Sequence, residues 1–459
     1  MVVSNYFHEL FQASGCVCDE VIDCVPSAVT DLVNSKLFQP IEDEEVRKAA
    51  FQMHPDKSLG PDWMTPAFFQ KCWPIVGDEV VKTHMSNLRP IALSNVLFKI
   101  ITKVMVNRMK PFMDSIIYEN QSAFIPGRLI SNNILVSFEV LHYLRTNRKG
   151  KNGFMALKLD MSKAYEQIEW DFLEAMLQKL GFVENWIQLI MKCVKSTRYC
   201  VTCGNNEVGP IIPTRGIRQG DPLSPYLFIL CAEGFTTLLR KYEQRGWLHG
   251  CKVANGAPRV SHMLFADDSY LYCKATEDEA RRIQEVLLKF ELASGRKVNF
   301  PKSSIFFSTN TLSSMKDRIN FILGMVTAVE VVTRDIEGLM SKFLWQSSSN
   351  SPKGIHWMSW KKLCKHKSKG GMGFRNLRSF NLALLGKQGW SLLTKPDTLV
   401  SAILKARYYP WGSFFTTDIG NNPNYVWRSV LEARQLVLKG VRWTVGDGTS
   451  ISVLGEPWL

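Results

Sequence analysis

Two apolar runs meet at adjacent carboxylates in Val260 to Cys273, VSHMLFADDSYLYC. Val260 to Ala266 and Ser269 to Cys273 each have strand length, and Asp267-Asp268 falls where a hairpin would turn. Upstream, Phe154 to Leu159, FMALKL, is a mostly apolar strand candidate that delivers Asp160 at its C-terminal end. A helix from about Asp171 to Leu180 follows, closed by Gly181 at the C′ position. Strand then helix predicts a layered α/β element with Asp160 at its rim. Helical patterns also cover Glu42 to Met53, stopped by HPDKSLGPDWMTP, and Val96 to Met113, where Leu97, Ile101, Val104 and Met105 share an apolar side. Arg198 to Val208 reads as a hairpin around Gly204-Asn205, and Ser224-Pro225 as an N-cap and N1 pair opening an apolar helix. Thr276 to Glu279 has the form of a capping box ahead of Ala280, Ile283, Leu287 and Phe290. Gly295 ends that helix, and a strand pair carrying Lys302 returns after it.

Composition adds a direction. The 459 residues suffice for two to four domains, and 46% hydrophobic with 21% charged residues is ordinary for a globular chain. A net charge of +14 favours a polyanionic partner, nucleic acid before membrane. The eleven cysteines are scattered and odd in number, which predicts free thiols in a reducing compartment. Cys16/Cys18 and Cys200/Cys203 lack a second Cys or His pair at zinc-site spacing and are read as structural. No signal peptide is evident and no apolar run approaches bilayer length, so the chain is expected inside the cell, nuclear or cytoplasmic. Eight of the thirteen tryptophans lie between Trp345 and Trp458, interleaved with KKLCKHKSKGG, and a domain boundary is placed near residue 342. Buried packing is the commoner use of such Trp residues; stacking on single strands is the other.

Two like charges flanked by Phe265, Ala266, Tyr270 and Leu271 need protonation, solvation or a cation to offset them. On this stretch alone, an exposed turn that happens to use Asp explains the pattern equally well. One acid at a strand end and two at a hairpin tip, in a basic chain, suit two-metal chemistry. Lys99, Lys103 and Lys110 recur at helical spacing on a side away from the apolar one, a stripe that suits a phosphate backbone or a solvated face. The glycines of RGIRQGDPLSPYLF would let a backbone approach a flat ligand closely.

At this point the chain resembles the LINE-type (non-LTR) retrotransposon reverse transcriptases common in plants. The resemblance is carried by KLDMSKAYEQIEW (158–170), RGIRQGDPLSPYLFIL (215–230), FADDSYLYCKA (265–275), SGRKVNFPKSSIFFS (294–308), NLRPIALSN (87–95) and NQSAFIPGR (120–128), in the family's order. It implies an α+β fold, a right-hand polymerase palm of antiparallel sheet and packed helices, with fingers. Asp160, Asp267 and Asp268 match the acids that bind two Mg²⁺ ions, with Mn²⁺ as a substitute. Tyr165 matches the aromatic under the sugar that excludes a 2′-hydroxyl, with core packing as its plainer role. Gln219 and Gly220 match the turn facing nucleotide and template, Arg89 the fingers arginine on the triphosphate, and Lys302 the lysine that protonates pyrophosphate. Lys99, Lys103, Lys110 and Arg128 are the expected contacts to nucleic acid. Partners implied are an RNA template, a DNA primer and deoxynucleoside triphosphates.

The chain also departs from that family. Glu166 stands where Asp is usual, which keeps the charge. Val80-Val81-Lys82 runs almost directly into Asn87-Leu88-Arg89, where the family has several dozen more residues. Another gap follows Ile322-Leu323-Gly324, so most of the thumb is expected to be absent. The resemblance further leads to the expectation of a fragmentary copy, without the family's endonuclease and its Cys/His-rich segment. The expected organisation is an N-terminal helical segment (1–85), fingers and palm (86–310), a truncated thumb junction (311–342) and a helical Trp-rich region (343–459). Two functions follow: an RNA-directed DNA polymerase, or an inert nucleic-acid-binding remnant.

Overall fold

Strand β1 (Phe154–Leu159) sets the layers. Met155, Leu157 and Leu159 are fully buried on one face, while Lys158, of the opposite parity, is half-buried on the other, as is Asp160 just past the strand. The computed structural model describes residues 2–15, 17–56, 64–83, 96–148, 150, 153–203, 206–328, 368 and 377–441. They fall into two units, Met1–Cys251 with Arg259–Thr327, and Lys252–Pro258 with Ala328–Leu459.

In the first unit, helices α1 (Val2–Phe11), α2 (Asp19–Ile22), α3 (Asp31–Leu37), α4 (Asp43–Phe51), α5 (Pro66–Lys71) and α6 (Trp73–Thr83) precede α7 (Val96–Met109), α8 (Met113–Ile116) and α9 (Ile130–Thr146). After β1 come β2 (Met161–Ser162), α10 (Trp170–Leu180), α11 (Glu184–Lys195), β3 (Tyr199–Cys203), β4 (Asn206–Ile211) and α12 (Ser224–Gln244). The unit closes with β5 (His262–Phe265), β6 (Asp268–Lys274), α13 (Glu277–Ser294), β7 (Lys297–Val298), β8 (Ser304–Phe307), α14 (Ser313–Leu323) and β9 (Val326–Thr327).

The central sheet has the order β5-β6-β1-β8-β9. β5–β6, β6–β1 and β1–β8 are antiparallel, but β8–β9 is parallel, a difference from the purely antiparallel expectation. The reason is the connection: α14 carries the chain back across the sheet before β9, and a helical crossover returns a strand in the same direction. Phe172, Phe228 and Phe290, from α10, α12 and α13, share one core with Leu157 and Leu271. Each such side chain removed from water contributes about 1.5–3 kcal/mol. On the second face α9 lies over the sheet, where the Tyr272 hydroxyl donates to Ser137 Oγ at 2.8 Å.

Several local signals act as expected. Gly181 and Gly295 close α10 and α13. Thr276 Oγ1 accepts from Glu279 N at 3.3 Å, but the Glu279 carboxylate is used elsewhere, on the backbone N–H groups of His249 and Lys274 and on the His249 ring. Ser224 is the first residue of α12 and Leu223 its N-cap, one position earlier than the sequence suggested. Asp221 Oδ1 takes the Leu223 N–H instead, at 2.8 Å.

The second unit contains α15 (Leu377–Thr394), α16 (Leu399–Tyr408), α17 (Tyr425–Glu432) and α18 (Arg434–Gly440). Trp427 is its centre, 1% exposed and stacked on Tyr408 at 4.6 Å. Asn424 caps α17 by accepting the Trp427 N–H at 2.6 Å. Of the other C-terminal tryptophans that fall in described residues, Trp390 is half-exposed and Trp411 is 93% exposed.

Candidate active site

The register of the sheet brings the singled-out acids to one rim. Leu159 pairs with Ser269, so the next step places Asp160 opposite Asp268 at the start of β6. Across neighbouring antiparallel strands such residues lie about 5 Å apart in the backbone. On the other flank Lys158 pairs with Ser304, the last pair of that ladder, and Lys302 ends the short 3-10 turn Phe300–Lys302 that leads into β8. The Asp160 peptide is held there from both sides: its N–H donates to Ser303 Oγ at 3.1 Å and its carbonyl accepts from Asn299 N at 2.8 Å. Phe265 pairs with Asp268, so the hairpin loop is Ala266-Asp267, one residue earlier than the Asp-Asp turn the sequence suggested. Asp267, Asp268 and Lys302 are exposed, and Asp160 is half-buried.

Beside the rim, the loop from Asp160 to Glu169 is locked between two incoming segments. Ile217 N donates to Tyr165 O at 2.9 Å and Gly216 N to Ile168 O at 2.7 Å. A side chain at Gly216 would meet the Glu166 carbonyl at 2.6 Å, and one at Gly295 would meet the Gln167 carbonyl at 2.3 Å. Only glycine allows both approaches, and both have positive φ. Gln219 and Gly220 stand exposed in the turn that follows Gly216.

Tyr165 is half-buried and stacks on Phe228, with centroids 4.6 Å apart. Burial pushes its hydroxyl up to about 12; the negative charge of Asp267 adds to this, against the cation of Arg296. Arg296 lies beneath, 3% exposed, its guanidinium 4.3 Å from the Phe228 centroid. Burial lowers its pKa to about 10, opposed by Cys231, Asp267 and Tyr165.

The basic residues fare less uniformly. Lys99 is 3% exposed, Lys103 half-buried and Lys110 exposed, so the stripe does not form one solvent face. Lys99 is buried within α7, a placement that periodicity on α7 alone does not reveal. Arg128 is occupied internally. It donates to the Asp114 carboxylate at 2.9 Å and to the carbonyls of Asp114, Ile117, Tyr118 and Gln121, leaving its fork committed to the backbone rather than to phosphate. Arg89 lies outside the described residues. Two residues at the site escaped the sequence reading, Arg296 and Gln121. Both stand within quoted motifs among polar or glycine neighbours, so nothing local marked them as buried.

The donor set fits a hard divalent cation, since exposed carboxylates are oxygen ligands. Among the described residues no three His, Cys, Asp or Glu side chains already converge to enclose an ion. That is compatible with Mg²⁺, which keeps several waters and uses one or two carboxylates together with substrate phosphates. Among the described residues no helix is long and apolar enough to cross a membrane.

The profile described as "Reverse transcriptase (RNA-dependent DNA polymerase)" matches residues 80–357. The chain belongs to this reverse transcriptase family. Its relatives identify the non-LTR branch: the transposon TX1 149 kDa protein of Xenopus laevis is 28% identical over 65% of this chain. The Pol polyprotein from a type-1 retrotransposable element R2 of Popillia japonica is 24% identical over 40% of it. An uncharacterized mitochondrial protein of Arabidopsis thaliana is 39% identical over 28% of the chain and 84% of its own length. The chain spans a quarter of the length of the two transposon proteins. Among solved structures, a telomerase from Candida albicans with a telomeric RNA fragment aligns over 68% of this chain and 50% of its own, at 12% identity and a TM-score of 0.29, too distant to add to the family match. The LINE-type reverse transcriptase resemblance read from the motifs is thereby borne out, and so is the mixed α/β fold with a largely antiparallel sheet.

Proposed function

We propose that this chain extends a DNA primer on an RNA template, with the central sheet as a polymerase palm and the helices around α4 and α7 as part of the fingers. The observation that carries this reading is the common rim of Asp160, Asp267 and Asp268 in a member of the reverse transcriptase family. In the proposed reaction the primer 3′-oxygen bonds to the α-phosphorus of a deoxynucleotide as the bond to pyrophosphate breaks. Divalent ions held by Asp160 and Asp267, with Asp268 beside them, would activate the hydroxyl and offset the charge on the leaving group. Lys302, exposed in the turn that precedes β8, gives the pyrophosphate its proton. Tyr165 forms the floor beneath the sugar, stiffened by its stack on Phe228. Gln219 and Gly220, exposed in their turn, face template and nucleotide.

The short stretch between Val80 and Asn87 favours a second reading, a remnant that binds nucleic acid without extending it. A primed RNA template with deoxynucleotides and Mg²⁺ or Mn²⁺ separates the two. Extension by the parent that is lost in Asp267→Ala, by at least a hundredfold, supports the polymerase. Binding with no extension by either protein supports the remnant.

A further inference from the structure

Gln121 is 1% exposed and reaches the hairpin tip from outside β5. Its segment lies along that strand as a short parallel edge: Leu264 N donates to Asn120 O at 2.8 Å, and Ser122 N to Leu264 O at 3.2 Å. From this position Gln121 Oε1 accepts two backbone N–H groups, Ala123 at 2.9 Å and Ala266 at 3.2 Å. Its Nε2 is buried without a partner among the described residues, so the side chain acts through its oxygen.

Ala266 is the first residue of the hairpin loop, with φ at +53°. The left-handed region is disfavoured for a residue that carries a Cβ. A turn that relieved this strain would carry the next residue, Asp267, elsewhere. We propose that Gln121 is a positioning residue for Asp267, its carbonyl oxygen clamping the Ala266 amide so that the strained turn presents the carboxylate in one place. The inference rests on reading Asp267 as a metal-binding acid.

The clamp is separable from the fold. β5 keeps its edge through Asn133 Nδ2, which donates to Leu264 O at 2.8 Å, and Asn120 Nδ2, which donates to His262 O at 2.8 Å. Ala266 is half-buried, so an N–H released there can turn to water. Losing the oxygen should free the turn without unfolding the sheet.

The test compares Q121M, which keeps the length but lacks the oxygen, with Q121E, which keeps an acceptor, and with D267A. Amide hydrogen exchange by mass spectrometry is read on peptides spanning residues 264–268, together with Mn²⁺ binding by electron paramagnetic resonance. In Q121M one deuteron should enter that peptide at least tenfold faster while β1 and α12 exchange as in the parent, and Mn²⁺ should bind several-fold more weakly. Q121E should retain the protection. Unchanged exchange in Q121M, or faster exchange throughout the sheet, overturns the clamp. Faster local exchange with unaltered Asp267-dependent Mn²⁺ binding overturns the positioning role. If D267A binds Mn²⁺ as the parent does, the metal reading of Asp267 fails, and faster local exchange still supports the clamp itself.

Discussion

A guanidinium is poorly accommodated where Arg296 sits. Among the described residues no carboxylate lies within ion-pairing distance, and its buried Nε has no partner; Phe228 and Phe290 supply only their ring faces, at 4.3 and 5.6 Å. Cation–π contact contributes about 1–2 kcal/mol, less than the several kcal/mol of desolvating an unpaired ion. Arg296→Met keeps the packing and removes the charge, so it should raise the unfolding temperature by several degrees. A fall would mean that the ring contacts outweigh desolvation. Tyr165 stands on the other side of the same argument. Its ring is fixed by Phe228, so Tyr165→Val should open space for a 2′-hydroxyl without disturbing the rim. Its discrimination between deoxy- and ribonucleotides should drop at least tenfold in single-nucleotide incorporation; an unchanged ratio returns Tyr165 to plain packing.

At the level of elements, what the sequence revealed was what is local. FMALKL becomes β1 at its expected bounds, and Thr276 and Gly295 bracket α13, because strand alternation and helix ends are decided by neighbours in the chain. Lys99 is buried and Arg128 is bound by carbonyls of a turn 7 to 14 residues upstream, neither of which helical periodicity reveals, and the Gln121–Ala266 contact spans 145 positions. Helix α12 hides another such residue. Glu233 is 2% exposed in its middle, with Oε2 unpartnered, and burial pushes its carboxyl up to about 8 against the Tyr118 N–H and the cations of Arg128 and Arg240. The folded chain thus retains a proton there that the unfolded chain releases above about 4.5, so stability is lost as pH rises towards 8. His262 acts oppositely. Burial, aided by Arg240, lowers its pKa to about 3, and stability is lost as pH falls below 6.5, where the unfolded imidazole gains its proton. Between pH 6.5 and 8 only Glu233 of this pair contributes. Glu233→Gln should therefore flatten the decline of unfolding temperature across that window; an unaltered slope would show that Glu233 is ionised in the fold.

For the whole molecule, the question is what holds the product. The roughly 18 residues between Gly324 and Phe343 would span about 27 Å as one helix. That length leaves little chain for a packed thumb; Val326–Thr327 within it form β9, and residues 329–342 lie outside the described residues. A chain of net charge +14 still attracts nucleic acid, but attraction through phosphate contacts weakens steeply with salt. If the junction stands in place of a thumb, as the resemblance implies, each encounter should end after few additions, and synthesis should be distributive. The basic, Trp-containing C-terminal region could serve instead, since Trp411 is exposed and free to stack on a base. Primer extension with a heparin trap distinguishes these outcomes. Products a few nucleotides long at physiological salt, lengthening as salt is lowered, are expected; long products from single encounters would show that the C-terminal region grips the duplex, and Trp411→Ala should then shorten them.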